Sequence, residues 1–483
     1  MNNYNCENFK KLLVKKKANI LILKIIKNIK SNKNLKNSVI SFLTKKQILD
    51  QIEQAKNNSN QKKFALKYIP YVIKDNICTK NILTTAGCKI LDNYYPVFNA
   101  DVITSLNQEK AILIGKANMD ELGMGGTGLS SALKGEVGNY FNSKRISGGS
   151  SSGCAVLVAS KLVPFAIATD SGDSIRKPAG YNGVIGFKPT YGVISRYGVI
   201  DFAPSLDTVG IFSQNIVDLE KVFIVLAKKS KNDLTTIDLF LKNNKTNSKI
   251  YKIVILKETL IGLNPKIKKI FLAFIKRLDK EKNINIKIIS FDLNLLKVLL
   301  PIYYIISSSE ALSCHYNLTG ITFGRYINKL NWKDSVFNTR SKNIGFIPSG
   351  RYLFGQYVTK NENYESYFLK ARKVRRKINN NLNLIFKEND LILMPNSSNI
   401  APKIKDVKLD KLNLKNKNIA DNCLLLANFF GMPSITMPLS FVKKMPIAIN
   451  LNAKPKNDFF LINFAKQIEK IINFEEISKK FYE

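Results

Sequence analysis

Two clusters of serine and glycine stand out in the segment 144–190, because hydroxyl groups in such loops can act as nucleophiles. The first cluster covers residues 148–153 and the second covers residues 171–174. A serine hydroxyl becomes an effective nucleophile when a neighbouring base takes its proton. The two clusters therefore predict covalent catalysis by serine, provided that the fold brings a base to them.

The run of small and apolar residues between the clusters must position them. It predicts a tightly packed helix over residues 154–160, a turn at Lys161 and a buried strand over residues 163–169. Both clusters then lie at the ends of elements, which is where catalytic loops usually sit.

Histidine is the usual base for a nucleophilic serine, but no histidine here is an evident candidate. The chain has one histidine, His315, and its helical surroundings favour a packing or surface residue. A lysine kept neutral by burial is the alternative, since desolvation lowers the pKa of a lysine. Lys74 closes the apolar run 69–73 and could point inward from the end of a strand. Taken alone, such a lysine more often extends its amine to solvent.

Three motifs in this order, IKDN, GGSS and TDSGDSIRKPA, resemble the amidase signature family. The resemblance implies that Lys74 is the base, that Ser150 is a bridging serine and that Ser174 is the nucleophile that forms an acyl-enzyme. Proton relay through Ser150 is chemically reasonable, because a hydroxyl both donates and accepts a hydrogen bond. The resemblance also implies a cis peptide bond before Ser150.

The resemblance further implies an oxyanion hole built from backbone N–H groups of Ser171, Gly172 and Asp173, next to a helix that begins at Ile175. Asp173 departs from the family pattern, which has glycine before the nucleophile. A carboxylate beside a developing negative charge is unfavourable unless it points away. Unless its side chain points away, we therefore expect Asp173 to lower or abolish the activity.

Composition limits the class of protein. The 483 residues are 45% hydrophobic, which is enough for a large core. The six cysteines are scattered, and the apolar run 20–23 is broken by Lys24 and Lys27, so the sequence predicts a cytoplasmic protein without a membrane segment. The net charge of +39 is spread over the chain together with abundant asparagine and isoleucine, which indicates compositional bias. It predicts at most a diffuse attraction to RNA.

The predicted fold is one α/β domain with a large, mostly parallel mixed sheet and helices on both faces. Residues 1–63 are expected to form a helical N-terminal cover, 64–214 the catalytic core, 215–300 a β-α-β segment and 301–483 the substrate-binding half. Within the third part, the pattern predicts a strand over 251–256, a helix over 266–278 and a strand over 284–291.

The C-terminal half resembles one branch of the family. The segments 301–313, 350–358 and 420–440 are similar to the glutamine-hydrolysing subunits of aspartyl/glutamyl-tRNA amidotransferases. That resemblance implies that Tyr303, Arg351 and Asp421 bind glutamine. The pairing is chemically sensible, because a guanidinium grips an α-carboxylate with two hydrogen bonds and an aspartate holds an α-ammonium.

The same resemblance implies partners. The B and C subunits of the amidotransferase would accept the ammonia, and misacylated tRNA would be reached through the complex. This chain would need no cofactor or metal, with ATP and magnesium expected at the partner subunit. Two alternatives stay open: a free-standing amidase acting on another small amide, and a catalytically silent scaffold subunit.

Overall fold

The structure is a computed structural model that describes residues 5–15, 17–56, 64–239, 250–409 and 418–482. Within these residues, eleven strands form a single sheet. The strands are β1 Val39–Phe42, β2 Pro70–Lys74, β3 Ile112–Ala117, β4 Phe165–Asp170, β5 Ile185–Lys188, β6 Thr208–Ser213, β7 Tyr251–Leu256, β8 Ile284–Ile289, β9 Leu391–Pro395, β10 Ser434–Val442 and β11 Met445–Ala453.

The strand order across the sheet is β1-β3-β2-β4-β6-β5-β10-β11-β9-β7-β8. Strands from the first half of the chain therefore lie on one side and strands from the second half on the other. The two sides meet where β5 pairs antiparallel with β10, with Gly186 opposite Thr436 and Lys188 opposite Ser434.

Nineteen α-helices surround the sheet within the described residues. They are α1 Cys6–Lys15, α2 Ala18–Ser31, α3 Lys45–Lys56, α4 Asp101–Gln108, α5 Ser152–Ala159, α6 Arg176–Asn182, α7 Ile216–Leu226, α8 Pro265–Leu278, α9 Leu293–Lys297, α10 Leu299–Cys314, α11 Trp332–Asn343, α12 Phe346–Thr359, α13 Asn361–Asn363, α14 Lys370–Glu388, α15 Ile404–Leu409, α16 Ile419–Asn422, α17 Leu425–Phe430, α18 Asp458–Ile472 and α19 Phe474–Tyr482.

Helices cover both faces of the sheet, as predicted. Consecutive residues of a strand point to opposite faces. A Cβ on Gly186 of β5 would lie 2.6 Å from the side chain of Ala179 in α6. The ring of the next residue, Phe187, lies 5.2 Å from the ring of Phe223 in α7. Helices α6 and α7 therefore pack on opposite faces.

Two expectations about the fold need correction. The sheet is mixed, but only four of its ten neighbouring pairs are parallel: β2–β3, β2–β4, β7–β8 and β7–β9. The long hairpin of β10 and β11 and the two antiparallel neighbours of β6 account for half of the six antiparallel pairs. The N-terminal cover is also not purely helical, because β1 pairs antiparallel with β3 at the edge of the sheet.

The predicted β-α-β segment is confirmed, with β7, α8 and β8 close to the expected bounds and the two strands parallel. The helix and strand between the serine clusters are confirmed as α5 and β4, with Lys161 at a positive φ of 59° in the turn. No helix in the described part of the chain has the length and apolar character needed to cross a bilayer.

Candidate active site

Lys74 is the last residue of β2, and its side chain points into the protein with no exposure to solvent. Its Nζ donates to Ser150 Oγ at 2.7 Å, to Thr169 Oγ1 at 2.9 Å and to the Thr169 carbonyl at 3.2 Å. Burial lowers the pKa of Lys74 to about 8, against weaker opposing effects of Cys154 and nearby aspartates. A neutral amine is therefore accessible near neutral pH.

Close contacts around its backbone hold Ser150 in place. The peptide bond between Gly149 and Ser150 is cis, in agreement with the expectation. A Cβ on Gly149 would lie only 1.9 Å from Asp120 Oδ2, so glycine is required there. The Asp120 amide donates to the Ser150 carbonyl at 3.1 Å.

The carboxylate of Asp120 organises the neighbouring loop. It accepts hydrogen bonds from the backbone amides of Thr127, Gly128 and Ser130 at 3.0 to 3.2 Å. Sequence reasoning missed Asp120, although it lies in the segment NMDELGMGG. A buried carboxylate that receives several backbone amides fixes the loop beside Ser150.

Ser174 lies in the turn that precedes α6, beside the Lys74–Ser150 pair. Its carbonyl accepts a hydrogen bond from the amide of Ser151 at 3.3 Å, which ties the two serine clusters together. Its side chain is 4% exposed, and its hydroxyl makes no hydrogen bond to any residue that the structure describes. The fold thus brings the loop of Ser174 against the segment that carries Ser150, the partner of Lys74, and the Ser174 hydroxyl has no hydrogen-bond partner among the described residues.

A buried ion pair fixes the loop that carries Ser174. Arg176 donates to both carboxylate oxygens of Asp170, at 2.9 and 3.1 Å, and to the Gly172 carbonyl at 2.7 Å. Burial alone would raise the pKa of Asp170, but Arg176 and Asn428 hold it below its usual value. Sequence reasoning assigned no role to Asp170 or Arg176. The sequence did offer a signal, because both residues lie in the motif TDSGDSIRKPA, one on each side of the loop.

The loop leaves backbone donors unused. The N–H groups of Gly172, Asp173 and Ser174 have no hydrogen-bond partner among the described residues. The Ser171 hydroxyl is bound to Asp207, whose other carboxylate oxygen accepts from the backbone of the segment 202–203. Free amides next to a nucleophile are suited to hold an oxyanion.

Tyr303 lies against the same loop, and Arg351 lies next to Tyr303 and Tyr304. A Cβ on Gly172 would lie 2.9 Å from the ring of Tyr303, so the aromatic ring covers the loop. The guanidinium of Arg351 lies 3.8 Å from the ring centroid of Tyr304 and 6.0 Å from that of Tyr303. Its Nη1 is buried and has no hydrogen-bond partner in the described chain. An unpaired buried donor of this kind is typical of a site that binds an anionic group.

Asp421 and Asp173 are joined through Lys177. The ammonium of Lys177 lies 3.6 Å from Asp421 Oδ1 and 3.8 Å from Asp173 Oδ2. Asp421 also accepts a hydrogen bond from the amide of Ser398 at 2.9 Å. Burial raises the pKa of Asp173 to about 6, although Lys177 opposes the shift. The Asp173 carboxylate is thus directed toward the ammonium of Lys177.

The chain is similar to known proteins over most of its length. A family model described as Amidase matches residues 21–462. The chain belongs to the amidase family. Over 449 residues it is 40% identical to a Mycoplasma genitalium protein named as the A subunit of glutamyl-tRNA(Gln) amidotransferase, covering 90% of this chain and 92% of that protein. A Sulfolobus acidocaldarius protein of the same name is 35% identical, covering 94% and 95%. The crystal structure of the Thermotoga maritima protein of this name is 29% identical, with a TM-score of 0.74 over 94% of this chain and 91% of that chain.

His315 has a structural place in this amidase. Its ring is buried and interacts with the Tyr352 hydroxyl at 2.9 Å and with the Asp201 carbonyl at 2.6 Å. Burial lowers its pKa to about 4. The interpretation of His315 as a packing residue is confirmed.

Lys177 should stabilise this amidase mainly through Asp173 and Asp421. We expect Lys177→Met to lower the free energy of unfolding, because it leaves two nearby carboxylates without their cation. In an Asp173→Asn background the loss should be smaller by about 1 kcal/mol. Urea denaturation of the four proteins at pH 8 measures this coupling. It should shrink at pH 5, where Asp173 is protonated, and a coupling that is zero at pH 8 would contradict the assignment.

Proposed function

We propose that this amidase is the glutaminase subunit of a tRNA-dependent amidotransferase, which supplies ammonia to a partner subunit that amidates Glu-tRNA(Gln) or Asp-tRNA(Asn). The observation that carries the chemistry is the buried Lys74–Ser150 hydrogen bond beside a Ser174 hydroxyl without a partner. The relatives' name, the A subunit of glutamyl-tRNA(Gln) amidotransferase, supports the choice of glutamine and of the first tRNA.

In the proposed mechanism, neutral Lys74 accepts the proton of Ser150 while Ser150 accepts the proton of Ser174. The Ser174 oxygen attacks the side-chain carbonyl carbon of glutamine and forms a tetrahedral oxyanion. Collapse breaks the C–N bond, and the proton held by Lys74 returns through Ser150 to the leaving nitrogen, which departs as ammonia. Water then attacks the acyl-enzyme by the same proton route and releases glutamate.

The loop 171–174 stabilises the oxyanion in this proposal. Backbone N–H groups of Ser171, Gly172 and Asp173 are the proposed donors, and the structure leaves those of Gly172 and Asp173 without partners among the described residues. Such donors are effective because they are already oriented before charge develops. The Asp170–Arg176 pair keeps them so.

Glutamine is held at its amino-acid end by Tyr303, Arg351 and Asp421. The unpaired Nη1 of Arg351 supports binding of the α-carboxylate, with the ring of Tyr304 supporting the guanidinium plane. The α-ammonium then faces Asp421, which is pre-oriented by Ser398. Both contacts lie next to the loop that carries the nucleophile, through Tyr303 on one side and Lys177 on the other.

Loss of Arg351 should weaken glutamine binding while the fold survives. We expect Arg351→Ala to raise KM for glutamine roughly 30-fold, which corresponds to about 2 kcal/mol for a charge-assisted contact. The KM of Arg351→Lys should fall between those of the wild type and Arg351→Ala, because lysine keeps the charge but loses the planar pair of donors. Leu353→Ala, at a 69% exposed position of the same helix, is the matched control. An unchanged KM in a folded Arg351→Ala protein would refute the assignment.

The proposal places the chain in a cytoplasmic complex with the B and C subunits of the amidotransferase. The partner subunit would hold ATP and magnesium, and misacylated tRNA would be reached through the assembly. Ammonia is useful only if it reaches the second site before it is lost to water. We therefore expect low glutaminase activity of the isolated chain and a large increase when the partners, ATP and misacylated tRNA are added.

Ammonia release measured with and without the partners tests this. Full activity of the isolated chain on glutamine, with no association in a pull-down at low salt, would refute the partnership. Turnover of other small amides but not glutamine would favour a free-standing amidase. Failure to form an acyl-enzyme with all partners present would favour a silent scaffold.

A further inference from the structure

The exposed face of α14 carries an unusual concentration of positive charge. The buried face of the helix consists of Ala371, Ile378, Leu382 and Phe386. The exposed cations are Lys370, Arg372, Lys373, Arg376 and Lys377. They span about 10 Å of helix at 1.5 Å per residue. None of the five makes an ion pair with a carboxylate of the described residues.

Compositional bias explains the lysine excess of the chain but not this helix. Only ten of the 75 cationic residues are arginine, and four of those ten lie between residues 351 and 376. Arg351 lies over the ring of Tyr304 and Arg375 is hydrogen-bonded to the protein, whereas Arg372 and Arg376 are exposed to solvent. Arginine binds phosphate with two parallel hydrogen bonds, which a lysine cannot do.

The helix is a rigid platform. Arg375 donates to the Phe429 carbonyl and to the Ser205 hydroxyl, each at 3.1 Å, and Asn379 donates to the same Phe429 carbonyl at 2.9 Å. These bonds fix α14 against the body of the protein. The cations beside Arg375 are therefore presented in a fixed array.

Exposed aromatic rings adjoin the cations. Tyr357, Tyr364 and Tyr367 are 48, 38 and 39% exposed. Tyr364 stacks on Phe368 at 5.4 Å, and the guanidinium of Arg372 lies 5.8 Å from the Phe368 ring. The rings and the cations therefore form one continuous surface.

The backbone of this region is irregular as well. Residues Tyr364–Leu369 form a π-helical turn between α13 and α14, a feature that often marks functional sites. Glu365 adds one exposed carboxylate to the turn, against five cations on the helix.

From this combination we propose that the face formed by α14 and the turn before it binds RNA directly. Phosphates bind the cations of α14, and unstacked bases lie on Tyr364 and Tyr367. Five cations over about 10 Å match roughly three phosphates of one strand. An acidic protein would satisfy the cations but would leave the tyrosine faces unused, whereas every nucleobase offers a stacking surface. This contact goes beyond the proposed function, in which tRNA is bound through the partner subunits.

The test compares two triple variants that remove the same charge. Lys373→Gln, Arg376→Gln and Lys377→Gln together neutralise the α14 face. Lys269→Gln, Lys276→Gln and Arg277→Gln together neutralise three exposed cations of α8 as the matched control. Binding of fluorescently labelled unfractionated tRNA to the full-length chain is followed by anisotropy from 50 to 200 mM KCl. Melting curves confirm that each variant is folded.

We expect the α14 triple variant to raise Kd at least about 10-fold and to reduce the slope of log K against log salt by roughly 2 to 3. The α8 variant should change Kd by less than about 2-fold. Tyr364→Ala with Tyr367→Ala should weaken binding of tRNA but not of heparin, a polyanion without bases. Equal losses of tRNA affinity in both triple variants would mean that the cations act only as a diffuse electrostatic field, and this result would overturn the proposal.

Two further outcomes would also overturn it. If the tyrosine variant binds tRNA as the wild type does, the face is a general polyanion surface. If the α14 variant loses only its binding to the B or C partner, the face is a protein interface. None of these readouts uses glutamine, so failure of the RNA proposal is distinguishable from failure of the glutaminase proposal.

Discussion

Replacing Ser174 by alanine should abolish the proposed glutamine hydrolysis by this amidase, measured with the proposed partner subunits present. The substitution removes the oxygen that forms the acyl-enzyme, while the Lys74–Ser150 pair and the loop amides stay in place. Loss of a nucleophile in a catalytic unit of this kind costs roughly three or more powers of ten in rate. Ammonia release measures the loss, and mass spectrometry after rapid quenching should detect a glutamyl adduct on the wild-type chain and none on the variant.

Ser152→Ala is the matched control for that experiment. Ser152 lies at the start of α5, two residues after Ser150, and its buried hydroxyl has no hydrogen-bond partner among the described residues. Its removal should leave the rate within a few-fold of wild type, since its surroundings lose no bonded group. A Ser174→Ala protein that still hydrolyses glutamine at the wild-type rate would overturn the assignment of the nucleophile.

Lys74 should set the pH dependence of the reaction. Because burial lowers its pKa to about 8, the neutral amine increases as pH rises through that value. We expect kcat/KM to rise with pH up to about 8 and then to level off, and we expect Lys74→Ala to lose several powers of ten with no such inflection. Lys74 also links pH to stability. Between about pH 8 and 10.5 the unfolded chain holds a proton that the folded chain lacks, so unfolding free energy should rise with pH there.

Lys188 provides the control for the pH profile. It is also fully buried, and burial lowers its pKa to about 7, but its ammonium donates to the Pro189 carbonyl. A folded Lys188→Met protein should keep the wild-type inflection near pH 8. If the inflection moves with Lys188 and stays in Lys74→Ala, the base has been assigned to the wrong lysine.

The candidate catalytic residues were assigned because their motifs resemble a family, whereas the burial and the hydrogen bonds of Lys74 could not be read from the sequence. An apolar strand ending in lysine is compatible with an amine that reaches solvent. The amine of Lys74 is buried because the fold brings it to Ser150 and Thr169, which lie 76 and 95 residues away in the chain. Asp120 was missed because its partners are mostly backbone amides, which a sequence does not distinguish from those of any other turn. The direction of the Asp173 side chain depended on Lys177, one helical turn later, with which it forms an ion pair.

Local periodicity predicted the positions of helices and strands better than it predicted which strands pair in the sheet. The β-α-β segment and the helix and strand between the serine clusters form where the pattern places them. Strand direction depends on pairings between residues far apart in the chain, such as β5 with β10, and an apolar run carries no information about its partner. The share of parallel pairs was therefore overestimated.

The junction of β5 and β10 also has a consequence for synthesis on the ribosome. All three proposed catalytic residues belong to the half of the chain that emerges first. One edge of β5, however, stays unpaired until β10, which is encoded about 250 residues later, has been made. At ~5 to 20 residues per second, this interval lasts roughly 12 to 50 s. During that time the nascent chain exposes an open, apolar strand edge, which is the kind of surface that chaperones bind.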